Sequence, residues 1–221
     1  MRLRRIVTIV LAACLCATSA PRAAAQSGDA GAEWSAFQKI AAHFTDASFV
    51  LVTVVTDGDR QLESKLRVWF RKPHFAKCEV VEGNGAGGVA VWRGGDMVLV
   101  RPPGLLSRFV LALHRDDPHV VDVRGRSCGQ TTLDNFANDF AAHGTLSESP
   151  GPNVDGSATD VVTWTRDPGA ATGDSKRELF ISRATHLPAE LKSFAGERLV
   201  EDSFYREIRL DEGLPFSTFD L

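Results

Sequence analysis

Between residues 49 and 101 the chain is a succession of short β-patterned segments, joined by turns too short to hold a crossover helix. This feature constrains the fold more than any other, because parallel strands need connections of about a dozen residues or more. Residues 49–55 are β-branched and apolar, Thr56-Asp57-Gly58-Asp59 supplies turn chemistry, and 62–71 returns as a second strand. In that strand Leu66, Val68 and Phe70 share one face, and Arg67, Trp69 and Arg71 share the other. Pro73 ends it, since proline has no N–H to give to a ladder. Strand patterns follow at 75–82, 89–93 and 97–101 with glycine-rich turns between them, and an antiparallel meander is predicted. A stretch at 146–159, rich in Ser, Pro, Gly and Asp, reads as loop. Strands resume at 160–166, 177–183, 189–194 and 199–210, giving about nine in all.

Helical periodicity interrupts this pattern in three places. Trp34, Phe37, Ile40, Ala41 and Phe44 recur at three- and four-residue spacings and form one apolar stripe. Pro102-Pro103-Gly104 stops the meander. Leu105, Leu106, Phe109, Val110 and Leu113 then trace a wide apolar helical face, relieved only by Ser107 and Arg108. Such a helix is unsuited to water and is expected to lie over the sheet. Thr131-Thr132-Leu133-Asp134 fits a capping box, with Leu133, Phe136, Ala137 and Phe140 as the stripe behind it and Gly144 as the C-cap. The fold class predicted is α+β, mainly antiparallel β: a strongly curved sheet with helices on one face.

The N-terminus reads as a secretory leader. Residues 1–5 are basic, 6–20 are apolar, and small residues at Ala23 and Ala25 fit a cleavage site that would leave Gln26 first. Leu11-Ala12-Ala13-Cys14 offers a competing cut, which would lipidate Cys14. The expected organisation is a signal peptide at 1–25, a short flexible tether at 26–32 and one domain at 33–221, without a membrane-spanning helix in the mature chain. The leader holds Arg2, Arg4, Arg5 and Arg22, so 21 of the 25 basic residues would remain against 28 acidic ones. That balance argues against a general nucleic-acid binder. Two cysteines, Cys78 and Cys128, would remain. The compartment permits a disulfide, but the spacing leaves their pairing open, and Cys78 also reads as a small buried strand residue.

The chemical motifs are weak. Gly83-Asn84-Gly85-Ala86-Gly87-Gly88 contains GxGxxG, yet it precedes a strand and reads as a hairpin turn. His114, Asp116, Asp117 and His119 gather possible ligands, but no third cluster supports a metal, and none is expected. Ser127-Cys128-Gly129 lacks an assignable base. With no cofactor or catalytic constellation, an enzyme with a dispersed site is the least favoured reading.

The run Phe44-Thr45-Asp46-Ala47-Ser48-Phe49, followed by Val55-Thr56-Asp57-Gly58 and Leu66-Arg67-Val68-Trp69-Phe70-Arg71-Lys72-Pro73-His74-Phe75, resembles the first hairpin of LolA-type periplasmic lipoprotein carriers. Leu179-Phe180-Ile181-Ser182 with Thr185-His186-Leu187-Pro188, and a closing Phe219, are similar to the C-terminal strands of LolA and its MucB/RseB relatives. The resemblance implies an incomplete, half-open β-barrel whose hydrophobic concave side is covered by helices and binds acyl chains without catalysis. The arginine that latches the LolA lid corresponds to Lys72, with Arg71 one residue earlier and expected on the opposite face. Lysine lacks the planar donor fork, so the latch itself is in question.

The expected function is a monomeric periplasmic carrier of lipid or lipoprotein acyl chains, held in a vacant hydrophobic hollow. Its expected lining is Leu66, Val68, Phe70, Val80, Val91 and Leu99 from strands, and Leu105, Leu106, Phe109, Val110 and Leu113 from the lid. The alternative is an envelope regulatory module of MucB/RseB type that binds a protein partner. Those relatives carry a second domain, and the end of this chain at Leu221 tilts the expectation toward a carrier.

Overall fold

The computed structural model describes residues 31–122, 124–167 and 173–221. The expected leader, Cys14 and all but the end of the expected tether lie outside these residues. Eleven strands form one sheet in the order β6-β5-β4-β3-β2-β1-β11-β10-β9-β8-β7. They are β1 (Asp46–Asp57), β2 (Arg60–Arg71), β3 (Phe75–Glu82), β4 (Val89–Trp92), β5 (Met97–Arg101), β6 (Leu111–His114), β7 (Gly144–Val154), β8 (Ser157–Arg166), β9 (Lys176–Ser182), β10 (Pro188–Ala195) and β11 (Arg198–Leu210). All the pairings are antiparallel, and the one non-sequential pairing joins β1 to β11 at the centre. β6 and β7 are the two edges and do not pair, so the sheet stays open.

Two helices cover one face: α1 (Ala32–His43) and α2 (Leu133–Asp139). The period-two pattern explains which face. Ala47, Phe49 and Leu51 of β1 stand beside Val68 and Phe70 of β2 and Ala76 and Cys78 of β3, and these join Trp34, Phe37, Leu133 and Phe140 in one buried cluster. Leu179 and Ile181 of β9, with Val162 and Trp164 of β8, complete it from the other half of the sheet. Phe37, Phe49, Phe70 and Phe140 are fully buried, and burying each such ring is worth roughly 1.5–3 kcal/mol.

The structure has two more strands than the sequence pattern predicted. The expected lid helix at 105–113 is a 3-10 turn, Gly104–Arg108, followed by edge strand β6. Val98↔Leu113 and Val100↔Leu111 pair it to β5. A short apolar run satisfies helical and strand periods alike, and here the sheet edge decided between them. The expected loop at 146–159 lies largely within β7 and β8. β7 accommodates Pro150 and Pro152 because it is an edge strand with a register shift between Pro150 and Asn153. Gly144 is the first residue of β7 rather than a C-cap, and it is seated so closely against Trp164 that a side chain there would collide with the indole.

Cys78 and Cys128 are disulfide-bonded, with Cα atoms 5.9 Å apart. The bond ties the crossing segment between β6 and α2 to β3, and Gly129 beside it lies flat under Trp92, where a Cβ would come within 2.7 Å of the ring. No helix among the described residues is long and apolar enough to cross a membrane.

Candidate functional site

The concave face is where a ligand would have to enter, and α1 decides whether it can. This helix is held at both ends by side chains from the sheet. At its N-terminus the Glu148 carboxylate of β7 accepts hydrogen bonds from the Glu33 and Trp34 backbone N–H groups (3.3 and 3.4 Å), placing negative charge where the helix dipole favours it. His186 Nδ1 lies 2.6 Å from Glu33 Oε2. At the C-terminus Lys72 Nζ donates to the carbonyls of Ala41 (2.6 Å) and Ala42 (2.9 Å) and sits 4.2 Å from the centre of the Phe44 ring. Burial lowers the Lys72 ammonium below its ordinary value, against the opposing pull of Asp134 and Asp211. Between the two clasps α1 contributes rings: Trp34 packs 5.1 Å from Phe140, and Phe37 packs 6.2 Å from Phe136.

Beneath the helices the hollow is full. Phe136 meets Phe140 at 5.5 Å and Tyr205 at 5.9 Å, and Tyr205 meets Phe49 at 5.9 Å. Burial pushes the Tyr205 phenol well above its ordinary range. Two clefts, of about 280 and 370 Å3, open beside this packing. The first is lined by Val154, Leu187, Pro188, Tyr205 and Ile208 and so abuts the core at Tyr205, and the second lies around Arg67, Trp69, Arg209 and Glu212. At these contacts the protein's own aromatic side chains fill space that the expected hollow would take, and an open cleft adjoins them at Tyr205.

Beyond the helices the concave face is closed by charge. Glu201 and Asp174 are both buried. Arg126 Nη2 reaches Glu201 at 2.7 Å, Arg124 pairs with Glu201 and with Asp174, and Arg177 Nε reaches Asp174 at 2.8 Å. Ser203 donates to Glu201 (2.8 Å) and lies 3.0 Å from Thr53 Oγ1. Burial works against the Asp174 carboxylate, but hydrogen bonds from Arg124 and Arg177 hold its pKa below the ordinary value. Burial likewise disfavours the Arg126 cation, and Glu201 and Asp122 overcome this. Each charge in this belt is partnered, which makes it a seal rather than a reactive centre.

The sequence-predicted residues separate into three groups. Leu66, Val68, Phe70 and Val80 lie on the helix-covered face, with Val68 and Phe70 completely buried. Val91 and Leu99 lie on the opposite face: Val91 pairs with Lys77 and with Leu99, out of phase with Ala90 and Trp92, which pack on the core. The expected lid residues Leu105, Leu106, Phe109 and Val110 cover nothing and stand in solvent, while Leu113 lies in β6. Lys72, at the position that corresponds to the latch of the resemblance, donates to the C-terminal carbonyls of α1. Arg71 points the other way, donating to the Leu214 carbonyl (2.5 Å) and lying 4.0 Å from the Phe216 ring. His114, Asp116, Asp117 and His119 form an exposed turn after β6, with His119 Nδ1 2.8 Å from Asp117 Oδ1. The clasp of Glu148 and His186 on α1, and the arginine belt, were invisible in the sequence. Their partners lie 115 and 153 residues from Glu33 in the clasp and about 75 residues apart between Arg126 and Glu201, so no local spacing could reveal them.

Solved structures place this architecture. An uncharacterised conserved protein from Thermus thermophilus matches 85% of the chain and 90% of its own length with a TM-score of 0.53 at 11% identity. LprF from Mycobacterium bovis matches 83% of the chain and 93% of its own length, with a TM-score of 0.50 at 12% identity. A LolA superfamily protein from Nitrosomonas europaea covers 87% of the chain and 97% of its own length at 14% identity, with a TM-score of 0.40. The fold, an open antiparallel sheet with helices on one face, is shared with the Thermus thermophilus protein and LprF. At these identities the likeness speaks for the fold alone. No family model and no curated protein matches the sequence. The sheet is an incomplete, open barrel, as the resemblance implied, with one side closed by two helices and an ionic belt.

Proposed function

We propose that the protein is a non-enzymatic carrier of lipid or lipoprotein acyl chains in the cell envelope, and that α1 packed over the sheet is its closed form. The observation that carries this reading is the construction of α1. It roofs an apolar aromatic core, and its polar attachments to the sheet lie at its two ends, through Glu148, His186 and Lys72. Rings packed on rings can be exchanged for a methylene chain without leaving a buried polar group unpaired, which is the condition for cheap opening. A chain of about sixteen carbons gains on the order of 10 kcal/mol from burial, at about 0.8 kcal/mol per methylene. That gross gain is of the same order as the cost of releasing a few hydrogen bonds and displacing several rings, so opening and loading are close to balanced. The lining on this reading is Leu66, Val68, Phe70 and Val80 together with the rings of α1 and α2. A secretory leader at 1–25 and a periplasmic location fit the same reading.

The test is titration of the protein with cis-parinaric acid, in wild type and in Lys72→Ala. Loss of the Lys72 clasp destabilises the closed state by about 1 kcal/mol, so the variant is expected to bind the probe about fivefold more tightly. If folded wild type and folded Lys72→Ala both leave the probe unbound, the carrier reading is wrong.

A further inference from the structure

Ten large hydrophobic side chains stand exposed among the described residues, and five of them fall within seven positions: Leu105 (94% exposed), Leu106 (57%), Phe109 (49%), Val110 (49%) and Leu111 (44%). They sit at the tip of the β5–β6 hairpin, on the outermost strand of the sheet, as far in strand order as the fold allows from the covered core. Soluble surfaces expose single apolar residues routinely, but a contiguous cluster marks a contact surface. The tip is also held in shape. Pro102 and Pro103 precede the 3-10 turn, and Pro103 rests 3.6 Å from the position a Cβ would take on Gly87 of the neighbouring β3–β4 turn.

The charges around the tip are of one sign. From Met97 to Arg115 the sequence holds Arg101, Arg108 and Arg115 and no acidic residue, in a chain whose total is net acidic. Arg115 is engaged at the far end of the hairpin, near Asp96 and Asp116. Arg101 and Arg108 make no ion pair with any described residue, and Arg108 lies 5.1 Å from the centre of the Phe109 ring, at the apolar tip itself. Glu82, the last residue of β3 before the adjoining turn, pairs with Lys65 at 2.9 Å.

We infer that the β5–β6 tip docks this protein onto the surface of an anionic lipid bilayer. Leu105, Leu106, Phe109 and Val110 enter the acyl boundary while Arg101 and Arg108 meet the headgroup charge. Aliphatic and aromatic side chains flanked by guanidinium groups suit that interface, where apolar burial and attraction to anionic headgroups add. Arginine stems also lie along apolar surface while their heads stay in the polar layer. A protein partner would be expected to meet polar groups matched to its own hydrogen bonds, and the tip side chains 105–106 and 109–110 offer none. The inference stands apart from the carrier reading, because the tip shares no residue with the helix-covered core.

Co-sedimentation with vesicles tests it, using purified protein with its N-terminus left as the cell leaves it. Vesicles of phosphatidylcholine with about 30% phosphatidylglycerol are compared with pure phosphatidylcholine. Wild type is expected to bind the anionic vesicles and to weaken as salt is raised. Arg101→Gln and Arg108→Gln should each lose about fivefold. Leu105→Asp combined with Phe109→Asp should lose at least tenfold, with thermal unfolding and cis-parinaric acid binding unchanged, since both side chains are exposed. Equal binding to both vesicle types, binding that survives the double substitution, or a stable dimer that the double substitution dissolves would each overturn the inference. The second outcome would place the membrane contact elsewhere in the chain, and the third would assign the tip to a second copy.

Discussion

Beneath α1 and α2, Trp34, Phe37, Phe49 and Phe140 are sealed against one another, closed in by a disulfide-anchored segment and a belt of paired charges. Across the same sheet, at the β5–β6 tip, Leu105 is almost wholly exposed and Leu106, Phe109 and Val110 are about half exposed. The two regions are similar in hydrophobicity and opposite in burial. What separates them is the supply of partners. The first receives two helices and buried side chains from six strands, whereas the second is the end of an edge hairpin, with no strand beyond β6 among the described residues. Apolar residues left at such an edge contribute little to folding, so their presence there is explained by contact with something outside the chain.

The largest expected difference is in stability. Phe37→Ala removes a fully buried ring and is expected to cost about 3–5 kcal/mol, whereas Leu105→Ala should change stability by less than about 0.5 kcal/mol. Urea unfolding of the two variants checks this, and comparable losses would show that the tip is packed after all. Next in size is the tether of the covered half. Replacing Cys78 and Cys128 by Ala opens a loop of 50 residues and should cost about 2–4 kcal/mol. Hydrogen exchange should then rise in the segment 124–139 and remain unchanged in the β5–β6 hairpin, whose pairing does not depend on the bond.

The smallest effect concerns the outer face of the covered half. There Asp202 is pushed up to about 6, first by burial and then by the neighbouring Glu190 carboxylate, which Lys192 holds at 2.7 Å. Its folded pKa exceeds the ordinary unfolded value of about 3.9, so the folded state binds the proton more tightly. Asp202 therefore destabilises the fold above pH 6, and that penalty is relieved as pH falls from about 6 to 4. Asp202→Asn should raise the urea midpoint at pH 8 and leave it nearly unchanged at pH 4. An equal shift at both values would assign the effect to packing rather than charge.

The central architecture was legible because strand alternation and turn residues state it locally. Leu66, Val68 and Phe70 could be placed together on one face from period two alone, and Trp34, Phe37 and Ala41 on one helix from its stripe. Two segments misled for physical reasons. Leu105 to Leu113 has spacings that satisfy a helix, but its helical potential was spent against proline, glycine and an unpaired neighbour strand. The segment behind Gly144 looked like loop because edge strands tolerate proline and glycine that interior strands reject. The faces of Val91 and Leu99 were misjudged because facing depends on register with β3, which no single strand encodes. The clasp on α1 could be expected only at Lys72, through its position before Pro73. Glu148 and His186 reach the helix through the folded sheet, and the closure of the hollow depended on how α2 and Tyr205 fill it.

The most direct test of the carrier claim uses the four tryptophans as depth markers. Trp34 and Trp164 are buried in the covered core, so a variant with Trp69→Phe and Trp92→Phe reports from that core alone. Titration with a bromine-labelled long-chain fatty acid should quench this fluorescence to a saturable limit of one acyl chain per protein. Undiminished emission at saturating fatty acid, from a folded protein, would show that no acyl chain enters beneath α1.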